Sequence, residues 1–212
     1  MERNANRHVA SNEPMHRPLR RLTQLYAGLV LYGASMALQI RAGLGLDPWD
    51  VFHQGIADRT GLSFGTVVIV VGALVLLAWV PLRQRPGFGT VSNVFVIGIA
   101  VDVALAAIPH AGSAPVAVAM LLGGVGLNGI AGGAYIGAGL GPGPRDGLMT
   151  GLVRRTGRSV RLVRTTIEVT VLVAGAALGG TVGIGTVVYA LSIGPIVHAV
   201  LPRLTVLPAR SY

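Results

Sequence analysis

Long apolar stretches and short polar breaks alternate along this chain. Six apolar segments run about Leu22–Ile40, Phe64–Leu82, Val91–Ile108, Pro115–Ala138, Leu162–Leu178 and Thr186–Leu201. A helix that crosses a bilayer needs roughly 20 mostly apolar residues. The pattern therefore predicts six membrane spans, several short enough to be tilted or extended by flanking residues. After the first segment comes Gly43–Asp50, "GLGLDPWD", and after the fourth comes Gly139–Asp146, "GLGPGPRD". In the first copy Asp47 suits a helix N-cap, Pro48 the first helical position, and Asp50 a place facing the positive end of the helix. A short amphipathic helix of about 13 residues, ending at Gly61, is expected there, lying at the interface or dipping into the membrane. Its counterpart starts at Pro144 and ends at Gly157.

The likeness extends well beyond the motif. Gly45 and Gly141 stand 96 positions apart, and the same offset joins Gly55 to Gly151, Arg59-Thr60-Gly61 to Arg155-Thr156-Gly157, and Ser63 to Ser159. It also joins Gly87-Phe88-Gly89-Thr90-Val91 to Gly183-Ile184-Gly185-Thr186-Val187. The chain is an internal duplication, and each unit holds three predicted spans. An odd number of spans returns the chain to the opposite side, so the second unit enters the membrane upside down. Secondary transporters often use this arrangement and bind substrate near the midplane, where the repeats meet.

Charge placement fits the same picture. Arg7, Arg17, Arg20 and Arg21 precede the first span, and Arg83 and Arg85 follow the second. Arg145, Arg154, Arg155, Arg158 and Arg161 crowd the fourth connection, and Arg203 and Arg210 the tail, while the intervening connections carry little basic surplus. The positive-inside rule then predicts both termini in the cytoplasm of a bacterial inner membrane. The predicted organisation is a disordered cytoplasmic arm over 1–21, a first repeat over 22–109, an inverted second repeat over 115–204, and a cytoplasmic tail over 205–212.

Composition narrows the function classes. Of 212 residues, 52% are hydrophobic and only 12% charged, half the charged share of an ordinary soluble domain. No separate soluble domain fits. The net charge of +9 reads as membrane orientation, and nucleic acid is not an expected partner. All basic residues are Arg, and no Cys is present, which excludes disulfides and thiolate chemistry. There is no phosphate-binding loop, His-Glu-x-x-His, nucleophile elbow or Cys metal site, so neither enzyme activity, metal nor cofactor is expected. The glycines of Gly123–Gly129 imitate a dinucleotide loop but lie within a span.

The run from Gly43 through "DPWDVFHQGIADRTGLSFGT" to "GFGTVSN", over six spans, resembles the YczE/YyaS/YitT-type bacterial integral membrane proteins, and among them the YczE group. The resemblance implies a cytoplasmic-membrane protein. It brings no substrate and no site residues with it.

Ionisable groups within spans are costly, by roughly 2.5–3.5 kcal/mol each on insertion scales, and are functional candidates by default. Glu168 falls in the fifth segment, one helical turn after Arg164, with Thr165, Thr166 and Thr170 nearby. Asp102 and His198 occupy equivalent positions of the two repeats. Glu168, Arg164, Asp102 and His198 are expected to line one internal cavity, with Glu168 carrying a proton or ion. Asp50 and Asp146 serve either as caps or at a broken-helix binding site, and Gln39 and Asn128 are polar points in spans one and four. Structural readings stand beside these: an Arg164–Glu168 ion pair, snorkelling arginines, and Gly129, Gly133 and Gly137 as a helix-crossing stripe.

Two functions follow. One is a small-solute secondary transporter or exporter with alternating access and a midplane polar site, open to proton coupling. The other is a membrane accessory or scaffold that binds a partner protein or anionic lipid through Arg154, Arg155, Arg158 and Arg161. A homodimer is an open option for so small a chain.

Overall fold

The computed structural model describes residues 18–206, and these form eight α-helices. In order they are α1 (Pro18–Ala42), α2 (Pro48–Thr60), α3 (Phe64–Trp79), α4 (Phe88–Ala107), α5 (Ala114–Gly137), α6 (Pro144–Thr156), α7 (Val160–Ala177) and α8 (Ile184–Leu204). The expected arm needs one correction. Pro18–Arg21 already belong to α1, and Arg21 is buried, donating to the carbonyls of Ala138 (2.7 Å) and Gly139 (2.6 Å). Its guanidinium thus satisfies carbonyls just past the end of α5, where helical partners run out. The rest of the arm and the last six residues lie outside the described region.

The local signals account for the short helices. Asp47 is extended and accepts the N–H groups of Trp49 (2.9 Å) and Asp50 (3.1 Å), Pro48 opens α2, and Gly61 closes it in the left-handed region at φ 71°. Glycine adopts that conformation without the steric cost other residues meet. In α6 the same frame recurs with Pro144 first and Gly157 last at φ 67°, but Gly143 stands where Asp47 does and offers no side-chain cap.

Three helices, α4, α5 and α8, are each long and apolar enough to cross a bilayer, and α2 with α3 makes a fourth apolar stretch bent by 116°. The core runs between α1 and α5, which lie antiparallel. Gly28 of α1 packs against Ala131–Tyr135, while Gly124 of α5 packs against Ser35–Gln39. Leu25, Leu29, Met36 and Ala37 are fully buried there.

Packing between the halves is reciprocal. The Gly185 N–H donates to the Leu44 carbonyl (2.7 Å), and the Gly89 N–H, 96 positions earlier, donates to the Leu140 carbonyl (2.8 Å). Gly45 lies against Gly183 and Thr186, as Gly141 lies against Gly87 and Thr90. The Arg59 side chain binds the carbonyls of Leu178 and Ala177, and Arg155 binds that of Pro81. The two motif loops are therefore held by matching surfaces of the opposite half.

Candidate functional site

Both short helices begin at one internal cavity of about 170 Å³. Its lining repeats the duplication. Asp47, Pro48, Trp49 and His53 face it together with Gly143, Pro144, Arg145 and Met149, their counterparts 96 positions on. Val68, Val71, Gly72 and Asn93 face it together with Arg164, Ile167, Glu168 and Tyr189, related in the same way. The cavity thus sits where the halves meet. Its chemistry is not symmetric, because Trp49 pairs with Arg145, Val68 with Arg164, Gly72 with Glu168 and Asp47 with Gly143.

The polar cluster is built from the two motifs. Arg145 reaches across so that its Nη1 is 3.7 Å from Asp47 Oδ1 and its Nη2 3.6 Å from Asp50 Oδ1, both beyond hydrogen-bond reach. Its guanidinium lies 4.9 Å from the centre of the Trp49 ring, a cation–π contact. Asp47 and Asp50 are 2% and 1% exposed. Asp50 Oδ1 faces His53 Nδ1 at 3.2 Å, and the His53 ring is packed among Trp49, Phe52 and Phe64. Asp47 Oδ2 is buried and has no hydrogen-bond partner. Buried polar atoms are rarely left so.

A second set of side chains holds this cluster from behind. Tyr135 donates to Asp146 Oδ2 at 3.2 Å. Tyr189 donates to Asn128 Oδ1 at 3.0 Å, and Asn128 donates to Ser35 Oγ at 2.8 Å. Trp79 donates from Nε1 to the Pro144 carbonyl at 3.0 Å and fixes the start of α6. At the rim, Arg164 Nε binds Glu168 Oε1 at 2.9 Å, with side chains 57% and 39% exposed. The cavity is therefore closed around Asp47 and Asp50 and open at α7.

Comparison with known proteins agrees with this description at the level of family. A model described as a family of unknown function, DUF6198, matches residues 19–202. The chain belongs to that family. An uncharacterized protein of Haemophilus influenzae (strain ATCC 51907 / DSM 11121 / KW20 / Rd) is 36% identical over 188 residues, covering 89% of this chain and 86% of its own. The uncharacterized membrane protein YczE of Bacillus subtilis (strain 168) is 35% identical over 186 residues, 86% of each chain. The uncharacterized protein YyaS of the same organism is 24% identical over 179 residues. No solved structure matches. The resemblance drawn from the motifs is thereby shown, and the chain is a membrane protein of this family.

Among the residues singled out in the sequence, Glu168, Arg164 and Asp146 line the cavity, and Asp50 lies buried beside it against His53 and Arg145. Asp102 and His198 do not line it, contrary to expectation. Asp102 accepts the Gly65 N–H (2.7 Å) and the Ser63 hydroxyl (2.6 Å), so it caps the start of α3. His198 is exposed on α8. Equivalence in a repeat places two residues at matching sites, but only those on the facing surfaces meet. Asn128 supports the cavity through Tyr189, while Gln39 bonds the Ser35 carbonyl (3.3 Å) and packs on Gly124. Arg154 and Arg155 line a shallow groove with Val80–Arg83, and Arg158 and Arg161 are exposed. Sequence reasoning missed Arg145, His53, Tyr32, Tyr135 and Tyr189, and gave Asp47 only its capping role. One signal was present: the second motif sets Arg against the Trp of the first, beside an Asp in both.

Proposed function

We propose that this protein is a small-solute secondary transporter or exporter of the bacterial inner membrane, with six spans arranged as two inverted three-span repeats and both termini in the cytoplasm. The observation that carries this reading is the cavity lining, in which residues of one half face their own counterparts from the other. A site on the axis relating two halves is the site alternating access requires, since rocking one half against the other opens it to either side in turn. The antiparallel packing of α1 on its equivalent α5 supports the inverted arrangement, because a two-fold relating antiparallel helices runs perpendicular to them. With those helices crossing the bilayer, the axis lies in the membrane plane.

The buried carboxyls support proton coupling. Acids held out of water bind and release protons as their surroundings change, and a switch between open and closed access is such a change. On this reading the rim at Arg164 and Glu168, about one and two turns into α7, is the access open toward the Arg-rich side. An accessory role through Arg154 and Arg155 is the competing reading, favoured only by the groove they line with Arg83.

Sealed vesicles holding the purified protein and an entrapped pH dye separate the two. Small anions, zwitterions and amines are added in turn across a pH gradient. Wild-type vesicles should respond to one class, and Glu168→Gln or Asp50→Asn vesicles should not. A properly folded wild-type protein that leaves the dye unmoved with all three classes would overturn the transport reading.

A further inference from the structure

The cavity holds an imbalance of charge and one orphaned acceptor. Two carboxyls, Asp47 and Asp50, flank the guanidinium of Arg145, and a third, Asp146, lines the same cavity on Tyr135, while Arg164 and Glu168 neutralise each other at the rim. The starts of α2 and α6 add roughly half a positive charge each. His53, buried among aromatic rings with one polar contact, is counted as the neutral ring. With all three carboxyls ionised, the site falls about one positive charge short, a deficit that one proton or one bound cation makes good.

Asp47 Oδ2 says where that charge belongs. Its partner oxygen, Oδ1, already takes the N–H groups of Trp49 and Asp50. Oδ2 takes nothing, although Asp47 is 2% exposed and lines the cavity. Leaving such an acceptor unpaired costs its desolvation, and a donor carried by a ligand removes that cost. The remaining walls include Tyr32, Tyr135 and Tyr189 beside Trp49. Aromatic faces attract organic cations, and their apolar area suits an alkyl group. Arg145 lying over Trp49 is a built-in example of the chemistry this wall accepts.

We infer that the cavity binds a small organic ammonium ion, its N–H donated to Asp47 Oδ2 and its alkyl part held against the tyrosines. The inference deepens the transport reading and rests on it for the cavity being a solute site.

Thermal unfolding of the full chain in detergent tests it, with ethylammonium chloride as probe. Sodium chloride and sodium acetate at equal ionic strength are the controls. Asn caps a helix as well as Asp, so Asp47→Asn keeps the start of α2 while removing the charge. The midpoint of the wild type should rise with the logarithm of probe concentration above the dissociation constant, reaching about 5 °C at a hundred times that constant. Asp47→Asn should lose that rise, and Asp58→Asn, an exposed acid outside the cavity, should keep it. No rise in the wild type beyond the sodium chloride control, an equal rise in Asp47→Asn, or a larger one with acetate would each overturn the assignment. Saturable binding without flux in vesicles would instead count against transport alone, and flux of anions without ammonium binding would leave transport standing and remove this substrate class.

Discussion

At the residue scale the decisive group is Arg145. It is the guanidinium shared by Asp47 and Asp50, and it lies over Trp49. Removing one partner from a buried charge cluster leaves the others uncompensated, which typically costs 3–5 kcal/mol. Arg145→Ala should therefore lower stability by about 3 kcal/mol, read from thermal or denaturant unfolding in detergent. Adding Asp50→Asn to it should recover part of the loss, because the double variant no longer buries that unpaired charge. A strictly additive pair would show that Arg145 and Asp50 do not interact. The same residue marks the limit of what sequence could reveal. Arg145 sits in a basic connection, where the ordinary expectation is a charge facing the headgroups. Only the tertiary path of the loop turns it inward, and nothing local encodes that path.

At the element scale most of the helical layout was readable. Proline at first position, glycine past the end and apolar runs between them gave all eight helices, including both short ones, because caps and breakers act locally. Contacts between elements were less readable. Asp102 was expected in a cavity since it lies within an apolar run, but its depth along α4 puts it beside Gly65 at the start of α3. A side chain's face and depth are fixed by packing, and periodicity alone leaves them open when a helix is apolar nearly all round. Gly147 shows how tight that packing is. A Cβ there would run into the indole of Trp79, which holds the start of α6 through the Pro144 carbonyl. Gly147→Ala should cost about 1–3 kcal/mol by overpacking, and Trp79→Phe in the same chain should relieve part of it. An alanine variant as stable as the wild type would mean that α6 and α3 sit farther apart than described.

At the scale of the whole molecule, the duplication is legible in sequence, and the reciprocal contacts of the motif loops follow it. The site was legible only in part. Glu168, Arg164 and Asp146, which line the cavity, and Asp50 beside it stood out because they are charges in an apolar chain, whereas the tyrosines and His53 look like ordinary amphipathic helix residues. The proposed transport depends on one arrangement, in which the two halves enter the membrane in opposite senses around a shared cavity. It makes equivalent positions face opposite sides. The native chain has no cysteine, so single cysteines report without background. Asp58 and Arg155 lie near the ends of α2 and α6, and they provide the direct test. In intact cells, a membrane-impermeant thiol reagent should label Asp58→Cys, and should reach Arg155→Cys only after the membrane is opened. Labelling of both from outside, or of neither, would contradict the inverted arrangement and with it the alternating access drawn from it.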